Sequence, residues 1–244
     1  LIETKRFNMA HYFISDLHLD PSRSHCIEGF LRYLSKIQAG DQLYILGDLF
    51  EAWLGDDDDT VFTQTIACAL KTCAGTLYFM HGNRDFLLGE AFAKRCDLTL
   101  LPEHHQITVG QETILLMHGD SLCTDDTAYI QIRPMLRDPS FQKQLLAKPI
   151  LERKAIALDA RAESQAHTSQ TKTAIMDVTP QAVRDVLQSQ QCQTMIHGHT
   201  HRPFDHQSVL ANKIGRRLVL GDWDDEGWHI RESNGTLILE AFAL

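Results

Sequence analysis

Five short strings in this chain are made of side chains that bind metal ions: Asp16-Leu17-His18, Gly47-Asp48, Gly82-Asn83-Arg84-Asp85, His118-Gly119 and His197-Gly198-His199-Thr200-His201. They offer carboxylate, imidazole and amide oxygen, the donors of a site that activates water or polarises a phosphoryl oxygen. Singly, an Asp-x-His or a Gly-Asp after a strand is an ordinary turn or cap. Five of them, each where an apolar run ends, point to one shared site.

Bringing them together is a matter of strand topology. From Ala10 onward, short apolar runs alternate with amphipathic stretches, the pattern of an α/β layered domain. Strands are expected at Tyr12 to Ser15, Leu43 to Leu46, Leu77 to Met80, Gln106 to Val109 and Thr113 to Met117, then up to Ile196, around Leu218 to Leu220 and at Thr236 to Leu239. Ile27, Phe30, Leu31, Leu34 and Ile37 follow helical spacing, with Gly40 as the stop signal. Further helices are expected from Val61 to Thr72 and, opened by Thr179-Pro180, to Gln190. In open α/β sheets, ligand sites gather at the carboxyl ends of strands, which is where the five strings lie, and glycine there lets the backbone turn sharply.

The 244 residues, 43% hydrophobic, suffice for one large domain and a small lobe. No run approaches the roughly 18 to 20 apolar residues of a membrane-spanning helix, and the expected location is the cytosol. Residues 1 to 8 read as a leader or cloning remnant before Met9. The six cysteines (26, 68, 73, 96, 123, 192) form no CxxC pair and read as buried free thiols. A net charge of −9 argues against a general polyanion binder, so an anionic substrate must meet local positive charge. Residues 123–178 read as a helical insertion, or cap, broken near Pro139 and Pro149, between core segments 9–122 and 179–244. Between Ile130 and Lys172 it carries eight basic residues against four acidic ones, interleaved with apolar ones such as Leu145, Leu146, Ile150 and Leu151. The acidic run Asp56 to Asp59 reads as a solvated loop, and Trp53 and Phe86 as packing residues.

The ordered series DxH, GD, GNx(D/E), HG, GHxH, spanning residues 16 to 201, closely resembles the calcineurin-like metallophosphoesterases. The longer strings LYILGDLFEAW (43–53), HGNRDFLLG (81–89), LCTDD (122–126), AIMDV (174–178) and HGHTHRP (197–203) resemble the branch acting on UDP-2,3-diacylglucosamine in lipid A biosynthesis. The resemblance implies a four-layer αββα sandwich with an inserted helical cap. It also implies two cations: one held by Asp16, His18, Asp48 and His201, the other by Asp48, Asn83, His118 and His199. Asp48 would bridge them, ~3.5–4 Å apart, around an activated water. Four imidazoles with three oxygen ligands suit Mn²⁺ ahead of Mg²⁺, Co²⁺ or Zn²⁺. His197 reads as a structural neighbour of the ligands.

Asp48, Asn83, Arg84 and His118 are the candidate catalytic residues. Many relatives in the superfamily carry histidine where Arg84 stands; an arginine cannot give up its proton, so Arg84 is expected to clamp phosphate oxygens, which suits a diphosphate with a good leaving group. The resemblance further implies substrate contacts from Asn83, Arg84, Asp126, Ser164, Thr168, Thr171, Lys172 and His199, with Thr168 replacing a frequent asparagine and the expected lysine displaced from 171 to Lys172. The expected products are UMP and 2,3-diacylglucosamine 1-phosphate. The expected setting is a monomer touching the cytoplasmic face of the inner membrane, because a basic, partly apolar cap suits an acylated anionic substrate and an anionic lipid surface. Two other readings stay open: a phosphoesterase acting on soluble nucleotides or phosphoproteins, and a non-catalytic scaffold with the same fold.

Overall fold

The computed structural model describes residues 9–170, 177–207, 210 and 215–244, with 164–170 described as helical backbone alone. In chain order come β1 (His11–Ile14), α1 (Ser24–Leu34), β2 (Gln42–Leu46), α2 (Val61–Lys71), β3 (Thr76–Met80), α3 (Glu90–Cys96), β4 (Leu98–Leu100), β5 (His105–Val109) and β6 (Glu112–Leu116). A 3-10 turn at Asp120–Leu122 leads into α4 (Thr127–Arg137), α5 (Pro139–Leu146) and α6 (Ile150–Gln170). The chain ends with α7 (Pro180–Ser189), β7 (Thr194–His197), β8 (Phe204–Gln207), β9 (Arg216–Val219), β10 (Glu226–Ser233) and β11 (Thr236–Ala243).

Two mixed sheets face each other. The first has the order β11-β10-β1-β2-β3-β4, the second β5-β6-β7-β9-β8. Strand alternation assigns their faces. Ile14, Leu43, Ile45, Leu77 and Phe79 of the first sheet pack under α1, α2 and α3 with Phe30, Ile66 and Phe92. The intervening residues Phe13, Tyr44, Leu46 and Met80 point the other way and meet Ile114, Leu116, Ile196 and Leu218 of the second sheet, a cluster that also takes in Val183 and Leu187 of α7. This is the layered sandwich expected from the sequence. Among the described residues no helix is long and apolar enough to cross a membrane.

Helix α1 ends at Leu34, with Gly40 (φ +96°) six residues later in the turn before β2. Sequence periodicity does not reveal α3, β4, β8 or β10. Helix α3 is seven residues long and its N-terminus is held from afar: Asp56 accepts from the Gly89 and Phe92 N–H groups at 2.9 Å each and from Trp53 Nε1 at 3.1 Å. Asp56 is therefore not the solvated loop residue expected, whereas Asp57 and Asp59 keep largely exposed side chains. Asp57 forms a two-pronged ion pair with Arg153 of α6, and Asp59 pairs with Arg95. Trp53 packs between Phe50 and Phe92 as a core residue. Of the cysteines, Cys26, Cys96, Cys123 and Cys192 are buried free thiols, whereas Cys68 is exposed and Cys73 partly so.

The inserted segment leaves and rejoins the core at one point. The Thr179 N–H donates to Leu122 O at 2.9 Å, and the Thr124 and Thr179 hydroxyls lie 2.7 Å apart. Asp138 caps α5 through the Phe141 N–H, with Pro139 at the first helical position, so the break near Pro139 has its cause in the sequence.

Replacing Asp56 with alanine leaves two helix-start N–H groups and an indole N–H without their acceptor. Urea denaturation is expected to show a loss of about 2 kcal/mol for Asp56→Ala and under about 0.5 kcal/mol for Asp58→Ala, whose side chain makes no described hydrogen bond. Equal effects for the two variants would return the whole run to the status of a solvated loop.

Candidate metal centre

The five strings do converge, and backbone hydrogen bonds between strand ends set their spacing. The Asp16 N–H donates to Gly47 O (3.1 Å), His18 N–H to Asp48 O (3.0 Å), Gly198 N–H to His118 O (2.9 Å) and Trp223 N–H to Asp16 O (3.1 Å). Asp85, fully buried, does not pair with Arg84; it accepts from the Gly82 N–H (2.8 Å) and Leu49 N–H (2.7 Å), tying the third string to the second. Glycine is required where these loops touch. A Cβ at Gly82 would lie 2.0 Å from Asp48 Oδ1, and one at Gly198 would lie 2.1 Å from Asp16 Oδ2.

The backbone itself is unusual here. Eight non-glycine residues among those described have positive φ, and five of them are Asp16 (56°), His18 (48°), Asp48 (52°), His199 (66°) and His201 (54°). A left-handed conformation costs a non-glycine residue about 1–2 kcal/mol, and such strain collects where surrounding structure and function over-determine it. All five lie in the strings selected for their chemistry.

Side-chain geometry divides the site into two halves. In the first, Asp16, His18 and His201 offer atoms within 4.8 Å of one another. His18 Nδ1 lies 3.2 Å from Glu51 Oε2 and His201 Nδ1 lies 3.4 Å from Asp222 Oδ2, so their Nε2 atoms are aimed at each other, 3.2 Å apart. In the second half, Asn83 Oδ1 is 3.0 Å from His118 Nε2 and 2.9 Å from His199 Nδ1. The His118 Nδ1–H donates to Leu46 O at 2.8 Å, which turns Nε2 inward. Asp48 joins the halves: its Oδ2 is 3.9 Å from His18 Nε2 and 3.8 Å from His118 Nε2, while its Oδ1 accepts from the Arg84 N–H at 2.8 Å.

This donor set fits divalent cations. Asp16 is fully buried, and its Oδ1 has no hydrogen bond. With Nδ1 of His18 and His201 turned to carboxylates, their Nε2 lone pairs face each other, an arrangement that a cation relieves. Burial raises the Asp16 pKa, but His201, His118 and His18 outweigh it and hold the carboxyl well below its usual range. Burial likewise opposes charge on His118, yet Asp48, Asp16 and Asp120 push its pKa up. Burial and then His118 push His199 down to about 4. The carboxylates that draw a proton onto His118 attract a metal cation in the same way. Fixing the outer nitrogen of a ligating histidine with a carboxylate or carbonyl is the arrangement that sets its tautomer and direction.

His197 takes no such place. Its Nδ1–H donates to Gly198 O (2.8 Å) and its Nε2 accepts from Arg217 (3.1 Å); burial and that arginine push its pKa down to about 3, so it is a neutral strut.

Several residues at the site carried no signal in the sequence. Glu51 and Asp222 orient histidines, and Glu51 also pairs with Arg161 of α6. Asp120, 1% exposed, accepts from Tyr129 Oη (2.5 Å) and Arg133 Nε (2.8 Å), with Arg137 Nη2 at 3.4 Å. The Tyr129 ring stacks on His199 with centroids 6.2 Å apart, and Arg137 also donates to Gly82 O (3.0 Å). Helix α4 is thus fastened to two of the loops that carry the strings. Asp126 caps α4 through the Tyr129 N–H. The side chains of Ser164 and Thr168, and Thr171 and Lys172 entirely, lie outside the described residues.

Comparison with known proteins agrees with this geometry. The family model described as calcineurin-like phosphoesterase matches residues 9–203. Proteins named UDP-2,3-diacylglucosamine hydrolase are similar along nearly their whole length. The one from Chromohalobacter salexigens is 47% identical over 91% of this chain and 93% of its own. That of Pseudomonas aeruginosa is 45% identical over 93% and 97%, and that of Stenotrophomonas maltophilia 45% over 96% and 99%.

Asp48→Ala is expected to reduce turnover to background and to lower bound metal, read by elemental analysis of the dialysed protein; near-normal activity would refute the central place of that carboxylate. Glu51→Gln frees the His18 ring and is expected to weaken metal affinity roughly 10–100-fold. A metal titration indistinguishable from the parent protein would show that His18 needs no such support.

Proposed function

The chain belongs to the calcineurin-like phosphoesterases, and from that premise we propose that it hydrolyses the diphosphate of UDP-2,3-diacylglucosamine to UMP and 2,3-diacylglucosamine 1-phosphate. The observation that carries the reading is Asp48 Oδ2, equidistant from one imidazole of each half-site. Asp16, His18, Asp48 and His201 would hold one divalent cation and Asp48, Asn83, His118 and His199 a second, with Mn²⁺ the best match to four imidazoles and three oxygen donors. Such cations, when bound, supply a polarising charge and bring the pKa of water toward neutrality.

The chain's own groups do the rest. Arg84 is anchored through its backbone: its N–H binds Asp48 Oδ1 and its carbonyl accepts from the Trp53 N–H (3.2 Å). Its guanidinium, which contributes to the lowered pKa of Glu51, offsets charge gathering on the phosphoryl oxygens. Water attacks the phosphorus bearing uridine and the bond to the sugar phosphate breaks. That group leaves as an anion, so no side chain needs to protonate it. Asn83 and His199 position the phosphoryl group, and Asp126, Ser164, Thr168, Thr171 and Lys172 are the cap positions offered to the sugar and its phosphate.

The cap supports an acylated substrate. Ile132, Met135, Leu151 and Leu158 are exposed apolar side chains on α4 and α6, able to meet acyl chains or the outer layer of an anionic bilayer. Four of its eight basic residues, Arg133, Arg137, Arg153 and Arg161, are engaged with core carboxylates, so contact with anionic lipid falls to Lys143, Lys148, Lys154 and Lys172.

Phosphorus NMR of the purified protein with UDP-2,3-diacylglucosamine and Mn²⁺ in ¹⁸O-water tests the reading. UMP is expected to carry the label and the sugar 1-phosphate none. Label in the sugar phosphate moves the attack to the other phosphorus, and an unchanged substrate alongside turnover of soluble nucleotides removes the lipid substrate.

A further inference from the structure

Beside the loop that carries His199 and His201 lies a cavity of about 230 Å³, lined by Asp177, Thr200, Arg202, Phe204, His206 and Arg217. None of these side chains has a part in the metal centre. Three separate features of the cavity call for a ligand.

The first is a buried cation with no ion-pair partner among the described residues. Arg217 on β9 is only 7% exposed, and among the described residues its one hydrogen bond goes to the neutral His197. No carboxylate among the described residues forms an ion pair with it. Asp177, the carboxylate that acts on it from a distance, is committed to Arg202 at 2.7 Å. A guanidinium kept out of water without a counter-charge is costly unless an acceptor arrives. The second is the Thr200 hydroxyl, buried without a hydrogen-bond partner and placed between two residues of the metal centre. The third is Phe204 on the edge strand β8, a large aromatic side chain 58% exposed, with the His206 ring 4.7 Å away and tilted by 56°.

Among the described lining side chains two guanidiniums stand against one carboxylate, about one positive charge, which is too little to mark a dedicated phosphate site. The lining better suits a flat ring with carbonyl oxygens, carrying hydroxyl groups on its linker. We propose that this cavity is the subsite for the nucleoside half of the substrate, with Phe204 packing on a pyrimidine face and Arg217 donating to its carbonyl oxygens. Asp177 and Thr200 then face the ribose hydroxyls, and the phosphates extend past Thr200 to the metal centre. The assignment rests on the reading of the substrate as a uridine diphosphate conjugate. It adds a basis for base selection: cytosine presents an amino donor where uracil presents a carbonyl, and a donor facing a buried guanidinium is rejected.

Calorimetric titration of the Mn²⁺-loaded full chain with UMP, CMP and inorganic phosphate tests this without turnover. UMP is expected to bind about tenfold more tightly than CMP, and Arg217→Gln, whose amide can turn either way, to reduce that ratio to about twofold. Phe204→Ala, at an exposed position, is expected to weaken both nucleotides about tenfold and inorganic phosphate not at all. Should Arg217→Gln fail to fold, Phe204→Ala decides alone. Equal affinity for UMP and CMP in the parent protein, or UMP binding untouched by Phe204→Ala, overturns the assignment, as does a loss of phosphate affinity in Arg217→Gln that matches its loss of UMP affinity. If UMP binds as expected while UDP-2,3-diacylglucosamine is not hydrolysed, the substrate reading fails and the subsite stands; hydrolysis with an unchanged KM in Phe204→Ala has the opposite meaning.

Discussion

Two carboxylates, Asp16 and Asp48, are buried at the meeting of five loops, and keeping their charge out of water is the constraint that the rest of the molecule serves. An isolated ion in such surroundings costs several kcal/mol even after relaxation. The chain answers partly with its own groups. Asp48 Oδ1 takes the Arg84 N–H, and Asp16 Oδ2 takes the His199 N–H (2.8 Å) and the Ser15 hydroxyl (2.5 Å). The remaining oxygens face imidazoles whose outer nitrogens are turned toward Glu51, Asp222 and Leu46 O. Such a donor set suits divalent cations, and the left-handed conformations of five of its residues are maintained because both sheets end there.

That constraint explains which parts of the design could be read from the sequence. The ligand strings are local: a strand end, a glycine, and a polar side chain within one or two positions. The glycines carry a signal because Gly47 (φ +91°) and Gly82 leave no room for a Cβ against their neighbours. Glu51, Asp120 and Asp222 show nothing comparable. Each is a single acidic residue whose role comes from a partner supplied by the fold: His18, the α4 arginines, and His201. The same holds for α3, whose cap Asp56 lies more than thirty residues upstream, and for β10, where only Trp228 and Ile230 mark the apolar face before Glu232 ends the alternation.

The cap shows the effect of charge most directly. As a sequence, its stretch from Ile130 to Lys172 carries twice as many basic as acidic residues on a chain of net charge −9, and it reads as a surface waiting for an anion. In the fold, four of the eight basic residues are turned inward. Arg153, 3% exposed, binds Leu54 O and Asp57; Arg133 and Arg137 converge on Asp120; Arg161 meets Glu51. Arginine suits these positions because its fork engages two acceptors at once and keeps its charge when buried.

The placement of these contacts couples the cap to the chemistry. Asp120 is two residues from His118 and holds Tyr129, whose ring lies on His199, while Arg137 reaches Gly82 O beside Asn83. Glu51 lies between His18 and Arg161. A displacement of α4 or α6 therefore bears on both halves of the metal centre through short, charge-assisted contacts, and an ordered centre in turn favours a seated cap.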